Sequence, residues 1–278
     1  MTALRISVRL DRHVLIARRA RRALQLEVDT YPKPGLVSQV DSGAHDDMDQ
    51  ALLYRSASTL EPYFAELAEA GGNAARMTRL RAIGIAAERA MLAATGGINT
   101  HRGAIFGMGL LCAAAGFRSR YGNDQTLGSI VASLWGADIL GGPVSLRSHG
   151  AQVARRHGAG GARREAAEGF PALYRCALPA LAEGNVLGLG DGEAARVHAC
   201  MRLIASVEDT NLLYRGGPDG LAFAQGQAAA FVAKGGVGGA DWYKRAVAIH
   251  RSFVARRLSP GGCADLLAMA LFVREMEA

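Results

Sequence analysis

The stretch "SGAHDDMD", residues 42–49, sets three aspartates and a histidine close together in a chain otherwise rich in Ala and Leu. Two chemistries suit it. Aspartate at a helix start caps free N–H groups and complements the helix dipole. Alternatively, carboxylates at i and i+3, here Asp46 and Asp49, share one helical face and hold a hard cation between them. Just upstream, "EVDTYPKPGLVS" places Lys33 between Pro32 and Pro34, which keep the backbone extended, and Gly35 permits a turn. A lysine presented so rigidly suits a phosphate contact; the plainer reading is an exposed loop lysine. Lys33, Lys234 and Lys244 are the only lysines among 32 basic residues, so arginine supplies nearly every cation.

Arg81 and Glu88 lie seven residues apart, on one helical face, within "RAIGIAAERAMLAATGGINTHRGAIF". A glutamate amid Ile, Ala, Met and Leu is either a partnered buried carboxylate or a helix-surface residue. It is followed by "TGGINTHRG", a polar Gly-rich loop feeding a helix N-terminus, where free N–H groups receive anions. Asn99, Thr100, His101 and Arg102 add polar and basic groups at that entrance. Three more clusters share this composition. "RSHG" and "GARREAAEGFP" contain Arg147, His149, Arg163, Arg164 and Glu165; "EDTNLLYRGG" places Asp209, Asn211 and Arg215 at a helix end. "LSPGGCADLLA" opens a helix with Asp265 in its first turn. Any one of these is an ordinary capping motif; five together point to a site where acidic and basic groups alternate. The absence of G-x-x-x-x-G-K-[ST], strand-borne G-x-G-x-x-G, H-E-x-x-H and G-x-S-x-G argues against P-loop, Rossmann, zincin and serine-hydrolase chemistry.

The elements that must position these groups are helices. Apolar residues recur at helical spacing over roughly 12–29, 47–70, 78–95, 103–118, 124–140, 161–184, 190–207, 219–234, 240–257 and 262–277. Gly-rich breaks such as "LGGPVS" and "SPGGC" separate them. The pattern predicts an all-α fold, a single domain over residues 1–278 with about ten helices. Gly107, Gly109 and Ala113–Ala115 on one helix predict close contact between helix backbones at the centre. Charges interrupt every candidate signal-peptide core near the N-terminus, and the run "GAIFGMGLLCAAAGF" is too short to cross a membrane. Four scattered cysteines without a C-x-x-C pair fit a reducing cytoplasm. The net charge of +7 favours polyanionic partners such as nucleotides, phosphorylated metabolites or nucleic acid.

These motifs, from about residue 27 to 270 and in this order, resemble the triphosphoribosyl-dephospho-coenzyme A synthase family. The resemblance implies an all-helical enzyme that joins ATP to 3'-dephospho-coenzyme A, expels adenine and leaves a triphosphoribosyl group on the ribose 2'-hydroxyl. The product is then passed to a transferase that loads the acyl-carrier subunit of malonate decarboxylase or citrate lyase. "GLVS", with Ser38, and "VDSGAHDDMD" lean toward the malonate decarboxylase branch. Arg102 stands where the family often carries lysine, a charge-preserving exchange that alters the geometry of the contact.

Breaking the N-glycosidic bond builds oxocarbenium-like charge that carboxylates stabilise, and a carboxylate takes the proton of the attacking hydroxyl. Asp46, Asp49 and Glu88 are the implied catalytic carboxylates. Asp46, Asp49 and Asp209, with Asp47 beside them, are equally the implied ligands of a Mg²⁺ on the triphosphate, and sequence does not separate the two roles. Lys33, His45, Arg81, Asn99, His101, Arg102, His149, Arg163, Asn211, Arg215, Gly261, Gly262 and Asp265 are the implied substrate contacts. A soluble cytoplasmic protein with no membrane partner is expected, and a homodimer is compatible with it. A Mg²⁺-dependent nucleotide N-glycohydrolase is the alternative enzyme. A basic nucleic-acid-binding protein is the alternative outside enzymology, disfavoured because the motif arginines sit beside Asp and Glu, which repel phosphodiesters.

Overall fold

The computed structural model describes residues 2–122, 124–143, 153, 156 and 160–278. Among these, eleven α-helices and no strand are formed. They are α1 (Thr2–Val28), α2 (Gln50–Gly72), α3 (Met77–Ala94), α4 (Arg102–Tyr121), α5 (Leu127–Gly141), α6 (Gly161–Ala167), α7 (Leu178–Leu187), α8 (Gly192–Ser206), α9 (Thr210–Ala233), α10 (Trp242–Ala255) and α11 (Gly261–Glu277). A π-helical turn at Leu173–Ala177 and a 3₁₀ turn at Gly236–Gly238 complete the set.

Helix α4 is the axis of the fold because its sequence is apolar or small on every side. Residues from Ala104 to Gly116 are buried almost without interruption, as expected of a helix with no solvent face. It packs against α1, α2, α3, α5 and α11. The closest approach is to α2: a Cβ on Gly116 would lie 1.8 Å from the Ala68 carbonyl oxygen, and one on Gly71 would lie 1.9 Å from that of Ala113. Glycine is required on both helices for the backbones to come so near; of the stripe read from the sequence, Ala113 takes part in this contact, while Gly107 and Gly109 face the side chains of Met269 and Leu67.

Helix α1 begins at Thr2, ten residues before the start expected from the periodicity, and two later stretches also differ from it. The expected helix over 161–184 is broken after Ala167 by "GFP": Gly169 and Phe170 have φ of 79° and 61°, and Pro171 follows. Phe170 is buried, and the Phe170 N–H donates to the Glu165 carbonyl while the Glu165 carboxylate accepts the Ala172 N–H. A residue before proline avoids the helical region, so the chain turns here and restarts through the π turn. Conversely, "TNLLYRGG" is helical from Thr210, and α9 runs on across a kink at Gly217 and Pro218.

Candidate active site

One cleft of about 1640 Å³ opens among the helix ends. Among the helices that begin on its wall are α4 at "NTHRG", α9 at "EDTN" and α11 at "SPGG". The positive ends of their dipoles suit an anion, although Asn99, Asp209 and Asp265 already accept several of their first N–H groups. Of the expected residues, His45, Arg81, Glu88, Asn99, His101, Arg102, Arg163, Asp209, Asn211, Arg215, Gly261, Gly262 and Asp265 all line this cleft. Distant parts of the chain thus meet at one place. His149 lies outside the described residues.

The acidic stretch that opened the sequence reading takes the capping role at one position. Asp49 is the N-cap of α2, its carboxylate accepting the Leu52 N–H at 2.8 Å. Asp46 pairs with Arg257 at 3.2 Å with 82% of its side chain exposed. Helix α2 begins only at Gln50, so the helical face that Asp46 and Asp49 were expected to share is not formed. Asp47 and His45 are the members of this stretch that reach the cleft together with Met48. His45 is fixed from both nitrogens: Arg215 donates to Nδ1 at 3.2 Å, leaving Nε2–H to donate to Ser259 at 2.9 Å. Burial, reinforced by Arg215, lowers the imidazole pKa, consistent with a neutral ring. Arg215 also donates to the carbonyls of Ala44 and Arg257, tying the loop, α9 and the approach to α11 into one wall.

Lys33 departs from its expected presentation. It is 1% exposed and lies off the cleft wall, with Nζ donating to the carbonyl and the carboxylate of Glu27, both at 2.5 Å. The physical reason is the end of α1: Glu27 sits in its last turn, where an ammonium satisfies orphan carbonyls and complements the dipole. His250 holds the same loop, its Nδ1 2.6 Å from the Lys33 carbonyl and its Nε2 3.1 Å from Asp41.

His101 precedes α4 and is buried. Thr100 donates to Ser56 Oγ at 2.7 Å, and Ser56 Oγ is hydrogen-bonded to His101 Nδ1, also at 2.7 Å, so the ring is held in place from α2. Burial, with Lys33 adding to it, pulls this imidazole down to about 4, so it is neutral near pH 7. Asn99 accepts the Arg102 N–H at 3.2 Å. Arg81 and Glu88 both face the cleft from α3, but Glu88 Oε1 is paired with Arg102, at 2.7 Å from Nε and 2.6 Å from NH2. Arg81 instead reaches the Asp138 carbonyl at 3.4 Å. The Arg163 guanidinium is engaged by the carbonyls of Ile139, Leu140, Gly142 and Pro143, closing the end of α5.

Two carboxylates lie deeper. Asp209, 1% exposed, caps α9 by accepting the N–H groups of Asn211 and Leu212, and its second oxygen accepts Cys263 N–H at 2.8 Å. It therefore joins the starts of α9 and α11. Burial raises its carboxyl while these three N–H groups oppose the rise. Asp265, on α11, accepts the Ala104 N–H in the first turn of α4. A Cβ on Gly103 would stand 1.9 Å from Asp265 Oδ2, so glycine is what admits the carboxylate to the head of α4. Burial pushes the Asp265 carboxyl well above the usual carboxylate range, and Glu27 and Asp209 push it further. Glu27 and Ser56 escaped the sequence reading. The first opened a quoted motif six residues before Lys33, whereas Ser56 carried no signal because its partner His101 is 45 residues away.

No group of three His, Cys, Asp or Glu side chains placed to hold a metal is found among the described residues. No helix among them is long and apolar enough to cross a membrane.

Comparison with known proteins gives this cleft its context. The family model described as ATP:dephospho-CoA triphosphoribosyl transferase matches residues 14–278. A probable 2-(5''-triphosphoribosyl)-3'-dephosphocoenzyme-A synthase of Pectobacterium carotovorum subsp. carotovorum (strain PC1) is 41% identical over 266 residues, covering 91% of this chain and 86% of its own. The corresponding synthase of Pectobacterium atrosepticum is 40% identical over 275 residues, with the same coverage of 91% and 86%. A probable synthase of Stutzerimonas stutzeri is 40% identical over 259 residues, covering 90% and 88%. No solved structure matches the chain. With the family model spanning all but the first residues, and relatives at this identity over nearly their whole length, the chain belongs to the ATP:dephospho-CoA triphosphoribosyl transferase family.

Proposed function

We propose that the protein transfers the triphosphoribosyl group of ATP to the ribose 2'-hydroxyl of 3'-dephospho-coenzyme A and releases adenine. The observation that carries this reading is the meeting of the N-termini of α4, α9 and α11 with Arg81, Arg102 and Arg215 around one cleft of about 1640 Å³. A triphosphate that is retained rather than cleaved has to be held, and helix dipoles and guanidinium groups hold it. Glu88 orients Arg102 for that contact, and His101 lines the cleft as a neutral ring that adds no charge. The carboxylates among these cations serve the other half of the reaction, stabilising positive charge as the C1'–N9 bond of the ribose breaks.

Mg²⁺ commonly binds through one or two carboxylates plus substrate phosphates rather than in an all-protein cage. Asp47, 61% exposed and 3.7 Å from His45 on the cleft wall, is the carboxylate placed to meet a triphosphate-bound Mg²⁺. Such an ion supplies positive charge to the phosphate oxygens. The product suits the loading of an acyl-carrier subunit, and the motifs around Ser38 favour that of malonate decarboxylase over that of citrate lyase.

Incubation of the protein with ATP, Mg²⁺ and 3'-dephospho-coenzyme A, followed by mass spectrometry, is expected to show the triphosphoribosyl adduct and an equivalent of adenine. Adenine release at the same rate without the acceptor, with no adduct, overturns the proposal in favour of glycohydrolysis.

A further inference from the structure

We infer that Asp265 is the general base of this transfer, the carboxylate that takes the proton of the attacking ribose hydroxyl. The inference rests on the reaction proposed above and adds the identity of its base, which sequence motifs had placed at Asp46, Asp49 or Glu88.

The cleft's other described carboxylates are committed elsewhere. Glu88 Oε1 carries two guanidinium N–H groups. Asp209 accepts three backbone N–H groups and is closed to solvent. Glu165 holds the Ala172 N–H, Glu168 pairs with Arg164, and Glu27 pairs with buried Lys33. Asp47 and Glu208 stand exposed at the rim, where water competes for any proton they take. Asp265 is different: it lines the cleft, one backbone N–H from α4 orients it, and it retains lone pairs for a ligand.

Its surroundings suit the task. Glu27 at the end of α1 and Asp209 before α9 face it with negative charge, Lys33 balances Glu27, and His101 near Lys33 is neutral. A carboxylate raised from the usual acidic range is a stronger base once ionised than an ordinary carboxylate. In the step, the hydroxyl oxygen bonds to ribose C1' as the C1'–N9 bond breaks, and that electron pair leaves with adenine. The hydroxyl proton passes to Asp265 and then to solvent, while adenine takes one proton from water. The net change moves one proton from the hydroxyl to adenine.

Asp265→Asn keeps the shape and an acceptor for Ala104 N–H. It is expected to lower kcat at least about 100-fold with KM for both substrates within a few-fold, and its residual activity should lose the acidic limb of the kcat–pH profile. A kcat near that of the wild type, a loss confined to KM, or an unchanged acidic limb overturns the inference. Should circular dichroism show the Asn variant unfolded, Asp265→Glu decides: the limb's midpoint must move, and an unmoved limb overturns the assignment. Adduct formation by the wild-type protein tests the reaction separately, so failure of the base and failure of the reaction are distinguishable.

Discussion

The side chains around the cleft divide into those held by the fold and those left to meet substrate. Lys33 belongs to the first group, and its partner Glu27 is nearly as buried. Lys33→Met leaves a carboxylate in the interior without its cation, which costs about 3–5 kcal/mol. Urea denaturation should show that loss, with part of it recovered in the Lys33→Met, Glu27→Gln pair. Wild-type stability together with weakened ATP binding would return Lys33 to the phosphate contact expected from "YPKPG". His101 gives a pH dependence of definite sign. Its folded pKa of about 4 lies below the ordinary 6.5, so on acidification the unfolded chain takes up the proton first. The stability it contributes is complete above pH 6.5 and is lost as pH falls toward 4, on the order of 3 kcal/mol in all. The difference in unfolding free energy between wild type and His101→Gln should therefore shrink across that window, and a pH-independent difference would exclude the buried neutral imidazole.

Helices are brought to the site by contacts that tolerate no added atoms. The crossing of α2 and α4 sets where "NTHRG" points, and Gly116 is its tightest place. Gly116→Ala is expected to destabilise by at least about 2 kcal/mol, since backbone rather than a movable side chain opposes the methyl group. Gly226 on α9 provides the contrast. It is exposed and a Cβ there meets nothing within 4 Å, so Gly226→Ala should stabilise by about 0.5–1 kcal/mol through helix propensity. Equal effects of the two substitutions in thermal or chemical melts would deny the close crossing. The same logic explains the start of α11: Asp209 draws it to the start of α9 through Cys263 N–H, so the two N-termini arrive as a unit.

At the scale of the whole molecule, a chain of net charge +7 that gathers helix N-termini and arginines in one cleft should attract its anionic substrates at long range. Raising salt from about 0.05 to about 0.5 M is expected to lower kcat/KM for ATP several-fold while kcat changes little, because screening acts on encounter more than on the enclosed complex. Salt-independent kcat/KM would remove that steering. The all-helical class, most helix boundaries and the motifs that line the cleft were legible in the sequence. Periodicity and Gly-rich breaks are local properties, and the residues of a helix N-terminus lie next to one another in the chain. What each charged side chain does there was not legible. Asp49 caps a helix, Lys33 is buried on Glu27, Glu88 pairs with Arg102, and Asp265 enters the head of α4 past Gly103. The partner and the desolvation that set a carboxylate's role come mostly from other helices, and only tertiary packing decides which helices meet.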